Sequence, residues 1–467
     1  MAIDGFIHTE FADTVSAWYN NETEMSPVSL KRIKEQNIRG VSLKFTDDNV
    51  IIKDEEYRAI LVGVQLNEDI SYSMEELWAL ADAAGVDAAG EMIQNKEHPN
   101  TATYIGKGKV DELSEMCTNM GADTVIFNDE LSGRQLRNLE DRLGIRVIDR
   151  TILILDIFAS RAVSREGKLQ VELAQLQYRL PRLTGFGKSL SGQGAGIGTR
   201  GPGEKKLETD RRHISKRMDE IKKELLEVKS NRVTQRARRQ KSGIPVVAIV
   251  GYTNSGKSAL MNRLLQMTDK EEKSVLEKDM LFATLDTAQR NVKFDTNQEF
   301  ILIDTVGFVS KLPHSLIKAF KGTLEEVTYA DLLLHVVDVS YPDHDFHINV
   351  TDKVLKEIGA GEKDKLMIYN KIDIAEEMSL PHNGEEILHI SATRGDNMEI
   401  LVQRIKEKLF SDRIVVPMLV PYDRGDISSY LCDKCKVIRM EYKENGTEFE
   451  VEISNKDYGR MEQYIIK

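Results

Sequence analysis

The chain has 467 residues, of which 41% are hydrophobic and 30% are charged, and its formal net charge is −12. A chain of this length is expected to form about three domains, and without a run of about 18 apolar residues it is not expected to insert stably into a membrane. The N-terminus lacks the basic start and apolar core of a secretion signal, and a content of 3 cysteines argues against a disulfide framework, so a cytoplasmic location is predicted, with peripheral membrane association left open.

The first part of the chain divides into an unassigned extension, residues 1–57, and a predicted α/β domain, residues 58–157, in which strand-like and helix-like segments alternate. A capping box completed by Glu76 is expected to open the first helix, and glycines at 121 and 144 are expected to end the next two. The expected strands are Ile60–Leu66, Thr103–Ile105, Thr124–Asn128 and Arg146–Ile148, and the expected helices start at Ser73 or lie near Lys109–Met120 and Ser132–Leu143. Gly106-Lys107-Gly108-Lys109 is interpreted as a turn, because it is too short for a nucleotide signature.

Residues 158–242 are predicted to form a long antiparallel helical hairpin. Leucines at 169, 173, 176 and 180 make one apolar seam, and Ile214, Met218, Ile221, Leu225 and Val228 make a second. The glycine-rich segment between the two seams would form a long tip loop, and loops of that length are uncommon unless they are functional. Its GxGxxG spacing is discounted as a dinucleotide site, because no buried strand precedes it.

The second arm of this hairpin is basic although the whole chain is acidic. Residues 200–241 contain fifteen Lys and Arg against seven Asp and Glu. Such a local excess can bind nucleic-acid phosphates through counterion release. The pattern alone leaves open whether this is an ordinary solvated helix face.

The next domain, residues 243–412, opens with a complete GxxxxGK[ST] phosphate loop. The loop follows the apolar run 244–250 and precedes a helical stretch, as this motif requires. Backbone N–H groups of such a turn and the N-terminus of the following helix bind phosphate. Lys257 is expected to contact the β- and γ-phosphates, and the Ser258 hydroxyl to bind Mg²⁺. The predicted phosphate-binding residues are Gly251, Tyr252, Thr253, Asn254, Ser255, Gly256, Lys257 and Ser258.

Three further motifs follow strand-like runs, and the Asn-Lys-x-Asp motif among them specifies guanine nucleotides. Asp304-Thr-Val-Gly307 is expected to hold Mg²⁺ through Asp304 and the γ-phosphate through the Gly307 N–H. The Asp373 carboxylate only accepts hydrogen bonds, so it matches the N1–H and N2 amine of guanine and not adenine. The remaining predicted nucleotide-binding residues are Asn370 and Lys371, in the same motif as Asp373, and Ser391, Ala392 and Thr393. The domain is therefore predicted to be a Ras-like P-loop GTPase that uses GTP as substrate, GDP as product and Mg²⁺ as cofactor.

Two other features bear on activity and on the C-terminus. Phe308 occupies the position where many GTPases place a glutamine that orients the attacking water, so slow intrinsic hydrolysis is expected. Residues 413–467 contain the strand-like runs Val437–Tyr442 and Phe449–Ile453 around an Asn-Gly turn, which predicts a small α/β domain. Cys432 and Cys435 form a lone CxxC pair whose role is left open.

Long motifs make the chain resemble the HflX family of ribosome-associated GTPases, in the Obg–HflX group. The resemblance covers about residues 60–409, and the C-terminal domain more loosely. Its motifs are Thr103-Tyr-Ile-Gly-Lys-Gly-Lys-Val110, Asp149-Arg-Thr-Ile-Leu-Ile-Leu-Asp-Ile-Phe-Ala159, Gln170-Val-Glu-Leu-Ala-Gln-Leu176, Gly196-Ile-Gly-Thr-Arg-Gly-Pro-Gly-Glu204, Leu281-Phe-Ala-Thr-Leu-Asp286 and Asp304-Thr-Val-Gly-Phe308.

This resemblance implies binding to the large ribosomal subunit and its rRNA, splitting of stalled or idle ribosomes under stress such as heat, and a link of the N-terminal domain to ATP. Family members usually have Pro-Thr after the Leu-Asp of the first switch, where this chain has Thr287 and Ala288. Thr284 is therefore assigned as the Mg²⁺-binding switch threonine and, with Lys257 and Gly307, as a catalytic residue; Thr287 is the alternative. The expected RNA-binding residues are Gly196, Gly198, Arg200, Arg211, Arg212 and Arg217.

Two other functions fit parts of the pattern. One is an ATP-dependent RNA or ribosome remodeller that works from the N-terminal α/β domain, and the other is a regulatory GTPase of a non-ribosomal pathway. The lack of a complete second nucleotide motif argues against the first, and the basic hairpin argues against the second. The protein is expected to be a monomer that does not bind DNA.

Overall fold

The computed structural model describes residues 42–46, 49–53, 57–182, 202–267, 288–294, 298–311, 313, 321–375 and 386–466. The chain forms two compact units, Met1–Tyr57 and Arg58–Lys467. In the first unit, β1 (Ser42–Thr46) and β2 (Asn49–Lys53) pair as an antiparallel hairpin. Sequence patterns assigned no structure to this region.

The second unit begins with a parallel four-stranded sheet in the order β4-β3-β5-β6. Apolar clusters cover both faces of the sheet, which explains why its central strands are continuously apolar. Its strands are β3 (Arg58–Gln65), β4 (Asp87–Asn95), β5 (Thr124–Phe127) and β6 (Arg146–Asp149), and its helices are α1 (Ser71–Ala83), α2 (Lys107–Met120), α3 (Gly133–Leu143) and α4 (Arg150–Arg161). Glycines 121 and 144 adopt positive φ just beyond α2 and α3, which confirms them as helix-ending residues, and Gly85 does the same just beyond α1.

Two local predictions in this domain are wrong. No strand forms at Thr103–Ile105, which belongs to a turn closed by the Asn100–Tyr104 bridge, and the fourth strand is β4 instead. The capping box of Ser73 and Glu76 is also absent. Helix α1 begins two residues earlier than Ser73, at Ser71, whose backbone N–H is bound by the Asp69 carboxylate at 3.1 Å. Glu76 is consequently a buried residue inside the helix.

The hairpin consists of α5 (Arg165–Arg182) and α6 (Pro202–Ser242). Leu169 and Leu173 of α5 pack on Ile221 of α6, with Leu176, Met218 and Leu225 beside them, so the predicted seams meet in this region. The ion pairs Arg165–Glu224 and Glu172–Arg217 show that the two helices run in opposite directions, because higher numbers on one helix face lower numbers on the other.

The third part is a six-stranded sheet in the order β12-β11-β10-β7-β9-β8, parallel except for β8. The strands are β7 (Val246–Gly251), β8 (Ala288–Lys293), β9 (Glu299–Asp304), β10 (Leu332–Asp338), β11 (Lys365–Asn370) and β12 (Ile387–His389). The described helices are α7 (Lys257–Gln266), α8 (Lys321–Thr328), α9 (His344–Ile358) and α10 (Met398–Leu409). Apolar side chains on both sheet faces form two cores, so the loops at the carboxyl ends of the strands are held on a rigid frame.

The C-terminal part is a three-stranded antiparallel sheet in the order β13-β15-β14, packed on short helices. It contains β13 (Arg413–Val420), α11 (Gly425–Lys434), β14 (Lys436–Lys443), β15 (Gly446–Ser454), α12 (Asn455–Met461) and a 3₁₀ turn at Glu462–Tyr464. The predicted hairpin around the Asn-Gly turn is confirmed. None of the described helices combines the length and hydropathy needed to span a bilayer.

Candidate functional site

The phosphate loop lies between the end of β7 and the start of α7, and it depends on two glycines. A Cβ on Gly251 would come within 2.2 Å of the Val336 carbonyl oxygen, and a Cβ on Gly256 would come within 2.2 Å of the Asn370 side-chain nitrogen. Both residues also have positive φ, 149° and 89°, which disfavours other residues. The loop is therefore fixed against β10 and β11 as well as against its own helix.

Lys257 is buried at the first position of α7, and its ammonium donates to the Tyr252 carbonyl at 2.5 Å. Burial lowers the pKa of Lys257 to about 8, although the nearby Asp304 carboxylate favours the charged form. Gly307 lies directly against this group, since a Cβ there would be 3.0 Å from the Lys257 nitrogen and 2.7 Å from the Thr253 Cα. The structure thus brings Lys257, Thr253 and Gly307 together, as a γ-phosphate site requires.

Ser258 and Asp304 meet although they are far apart in sequence. The Ser258 hydroxyl donates to Asp304 Oδ2 at 2.8 Å, and Asp304 is fully buried at the end of β9. A hydroxyl and a carboxylate beside a phosphate site are the oxygen donors that Mg²⁺ accepts, together with waters and phosphate oxygens. These two residues fit a Mg²⁺ ion, which when bound would neutralise negative charge that develops on the phosphates. The predicted third ligand, Thr284, and its alternative Thr287 lie outside the described residues.

The predicted base-binding end contains Asn370, which is buried. Its amide donates to the Ser255 carbonyl at 2.9 Å, and its oxygen accepts from the Ala392 N–H at 3.0 Å. Asn370 therefore ties the phosphate loop to the loop after β12. Lys371 has a φ of 68° and pairs with Asp338 at 2.7 Å.

Asp373, two residues after Lys371, is partly exposed. Its neighbour Ile372 donates to the Ile390 carbonyl at 3.3 Å, which fixes the segment against the loop after β12. That loop contains Ser391, whose hydroxyl accepts from the Arg394 N–H at 3.0 Å, and then Ala392 and Thr393. The four predicted motifs therefore converge at the carboxyl edge of one sheet.

Phe308 does not face this site. Its side chain is 2% exposed and packs in the core behind the sheet, while its carbonyl accepts from the Thr253 N–H at 2.7 Å. The residue therefore joins the two loops through its backbone, and its side chain gives an attacking water no hydrogen-bonding partner.

The predicted RNA-binding residues divide into three groups. Gly196, Gly198 and Arg200 lie outside the described residues. Arg211 and Arg212 are exposed on α6, and the Arg212 side chain is 77% accessible and pairs with Glu208, whose side chain is 44% accessible. Arg217 instead binds Glu172 of α5 through two hydrogen bonds of 2.7 and 2.9 Å, so it joins the two arms.

Sequence reasoning missed a buried polar cluster beside the phosphate loop. Glu76 of α1 and Arg150 of α4 pair there, with side chains 3% and 2% exposed. The Tyr252 hydroxyl donates to Glu76 Oε1 at 2.5 Å, and the Ser310 hydroxyl donates to Glu76 Oε2 at 2.5 Å. A signal was present, because Glu76 stands between apolar positions of α1 and Arg150 opens an apolar helix. A charge at such a position requires a buried partner.

Family models match three consecutive parts of the chain. They are described as GTP-binding GTPase N-terminal, over residues 71–159; GTP-binding GTPase Middle Region, over residues 161–239; and 50S ribosome-binding GTPase, over residues 246–371. The third match contains the phosphate loop and ends at Lys371, inside the Asn-Lys-x-Asp motif.

Similar proteins cover nearly the whole chain. A GTPase HflX of Caldanaerobacter subterraneus subsp. tengcongensis is 49% identical over 416 residues, which are 89% of this chain and 95% of that protein. A GTPase HflX of Lacrimispora saccharolytica is 45% identical over 403 residues, 85% of this chain and 93% of that protein. Among solved structures, a GTP-binding protein of Sulfolobus solfataricus in complex with GDP is 26% identical, with a TM-score of 0.41 over 76% of this chain and 99% of that chain. Because the two HflX proteins are 49% and 45% identical to this chain over most of its length, the chain belongs to the HflX family of GTPases.

Proposed function

We propose that this protein is a Mg²⁺-dependent GTPase that binds the large ribosomal subunit through rRNA and, in its GTP-bound state, splits stalled or idle ribosomes. The observation that carries the enzymatic part is the convergence of Lys257, Gly307 and the Ser258–Asp304 pair at one sheet edge. Lys257 and the Gly307 N–H hold the γ-phosphate, Ser258 and Asp304 hold Mg²⁺ with Thr284, and Asp373 selects guanine.

The ribosomal part is supported by the hairpin and by the family description 50S ribosome-binding GTPase. The α6 arm has 41 residues against 18 in α5, so it extends well beyond the seam. Arg211, Arg212 and Lys216 are exposed on it. A long helix with exposed Arg and Lys side chains can bind the phosphates that line an RNA cavity.

Co-sedimentation with ribosomal subunits tests this function. With a non-hydrolysable GTP analogue, the protein should pellet with the large subunit and shift intact ribosomes toward free subunits. With GDP, both effects should be much weaker. Binding to neither subunit in any nucleotide state would exclude the ribosomal role while leaving GTP binding intact.

Replacing Arg211 and Arg212 by Ala should weaken large-subunit binding and reduce its dependence on salt. Two fewer phosphate contacts should lower the slope of log affinity against log salt by about 1.5. The measurement is a binding titration at several salt concentrations. Arg404→Ala with Arg439→Ala is a matched control, because it removes two exposed arginines outside α6. An unchanged slope in the α6 variant would remove the phosphate-binding role.

Arg217 requires a separate variant because it pairs with Glu172. Any loss of binding in Arg217→Ala would combine a lost RNA contact with looser packing of the two arms. Glu172→Gln loosens the arms without removing the cation, so it separates the two effects.

Replacing residues 185–201 by a short Gly-Ser linker should leave GTP binding unchanged and abolish ribosome splitting. The nucleotide site contains none of these residues, whereas the tip is the part proposed to enter the RNA. Splitting is measured by light scattering or on sucrose gradients, with nucleotide affinity as the internal control. Normal splitting by this variant would disprove insertion of the tip.

A further inference from the structure

The buried cluster beside the phosphate loop connects three structural parts. Glu76 accepts hydrogen bonds from Arg150 of its own domain, from Tyr252 of the phosphate loop and from Ser310 of the segment after Gly307. Burial and the Glu76 carboxylate both raise the pKa of Tyr252, so its phenol stays protonated and donates. A buried carboxylate with three donors is well satisfied, and losing one donor is costly.

Every polar atom of Ser310 makes a hydrogen bond. Its N–H donates to the Tyr252 hydroxyl at 2.7 Å, its hydroxyl donates to Glu76, and its carbonyl and hydroxyl accept from Arg150 at 3.4 and 3.1 Å. Ser310 stands only three residues after Gly307, whose N–H is proposed to turn toward the γ-phosphate. A movement of Gly307 therefore strains or breaks the hydrogen bonds that Ser310 makes.

The same segment holds a loop of the N-terminal domain. Lys311 of this segment pairs with Asp129 at 2.6 Å, and Arg150 of α4, which contacts Ser310, donates to Asn128 at 2.9 Å. On the other side of this loop, Arg182 binds Glu130 at 2.8 Å and the Leu131 carbonyl at 2.9 Å.

Arg182 is the last residue of α5, the helix that leads to the hairpin tip. A Cβ on Gly133 would be 3.0 Å from the Arg182 Cα, so the backbones of α3 and α5 touch there. The loop 128–131 is thus bound by the segment that contains Ser310 and Lys311 on one side and by the base of the hairpin on the other.

We propose that Glu76 and the loop 128–131 form a relay that couples the nucleotide to the hairpin: the segment 308–311 holds this loop when GDP is bound, and engagement of Gly307 by the γ-phosphate releases it. Glu76 and Asp129 are positioning residues here, since neither reaches the nucleotide. Reciprocity requires that weakening the relay also favours GTP over GDP. The inference rests on the proposed γ-phosphate contact of Gly307 but not on ribosome binding.

The test is hydrogen exchange of the full-length protein without ribosomes, with GDP or with a non-hydrolysable GTP analogue. In the unmodified protein, backbone amides of residues 128–136 and 176–182 should exchange faster by about 5-fold or more with the GTP analogue. Glu76→Gln and Asp129→Asn should show the faster exchange with both nucleotides. Equal exchange with both nucleotides in the unmodified protein would overturn the proposal.

Nucleotide affinities give the second readout. Both variants should raise the ratio of GTP-analogue to GDP affinity, by about 5-fold for Glu76→Gln. A merely structural role would change both affinities equally and would also overturn the proposal. If Glu76→Gln does not fold, Asp129→Asn decides, since that residue lies nearer the surface. Asp87→Asn is the matched control, because it breaks an exposed pair with Arg58 at another edge of the same domain.

Loss of the ribosomal role and loss of the relay are distinguishable. Ribosome co-sedimentation can fail while the exchange difference persists, because the exchange experiment contains no ribosomes. Conversely, nucleotide-dependent ribosome binding without any exchange difference would keep the proposed function and remove the relay.

Discussion

Asp373→Asn is expected to lower the affinity for GTP by about 10³-fold or more and to raise the affinity for xanthosine triphosphate. The carboxylate accepts from the guanine N1–H and N2 amine, whereas the amide brings a donor to position 2, where xanthine carries an oxygen. Sites built on donor–acceptor matching can discriminate by about 10⁴-fold. Fluorescent guanine and xanthine nucleotides report the two dissociation constants.

Asp364→Asn is the matched control for this change. Asp364 lies just before β11, at the opposite end of the strand that leads to Asp373. The control should bind GTP with unchanged affinity and should gain no affinity for xanthosine triphosphate. Unchanged GTP affinity in Asp373→Asn would mean that another residue recognises the base.

The large ribosomal subunit is expected to accelerate GTP hydrolysis by about 10³-fold or more over the isolated protein. Supply of a missing transition-state group by a partner has an effect of this size in other GTPases. We expect this acceleration because Phe308 packs in the core and gives the attacking water no hydrogen-bonding partner, so the isolated protein should hydrolyse GTP slowly. Single-turnover rates with and without purified large subunits measure the acceleration.

Small subunits and the Arg211, Arg212 double variant serve as controls. Small subunits should leave the rate unchanged, and the double variant should need higher concentrations of large subunits for the same rate. Rapid hydrolysis by the isolated protein would show that the chain itself positions the water.

The convergence of the nucleotide motifs at one sheet edge was predictable because each motif carries its own local context. A phosphate loop must follow a buried strand and open a helix, and Gly251 to Ser258 do so at the end of β7. Parallel strands bring their carboxyl ends to one edge, so Asp304, Asn370 and Ser391 had to converge once the strands were identified. The described hairpin was predictable for a similar reason, since Leu169, Leu173 and Ile221 repeat at helical spacing.

The errors arose where tertiary contacts overrode local patterns. Strand β4 contains Ala88, Ala89 and Gly90, which have low strand propensity, and it forms because the neighbouring β3 offers an open edge. Glu76 matched a capping box three residues after Ser73, yet burial against Arg150 determined its role. The link between Tyr252 and the N-terminal domain depends on residues far apart in sequence, so no single motif contained it.

The short connection between α6 and β7 allows a force on the hairpin to reach the phosphate loop. Only residues 243–245 separate the end of the 41-residue helix from the strand that runs into the phosphate loop. At 1.5 Å per residue this helix is about 60 Å long, and Lys229 is attached to Glu325 of α8 part-way along it. A force on the outer end of α6 therefore acts on a lever with its fulcrum at the GTPase domain, and its short arm ends at the strand that carries Gly251.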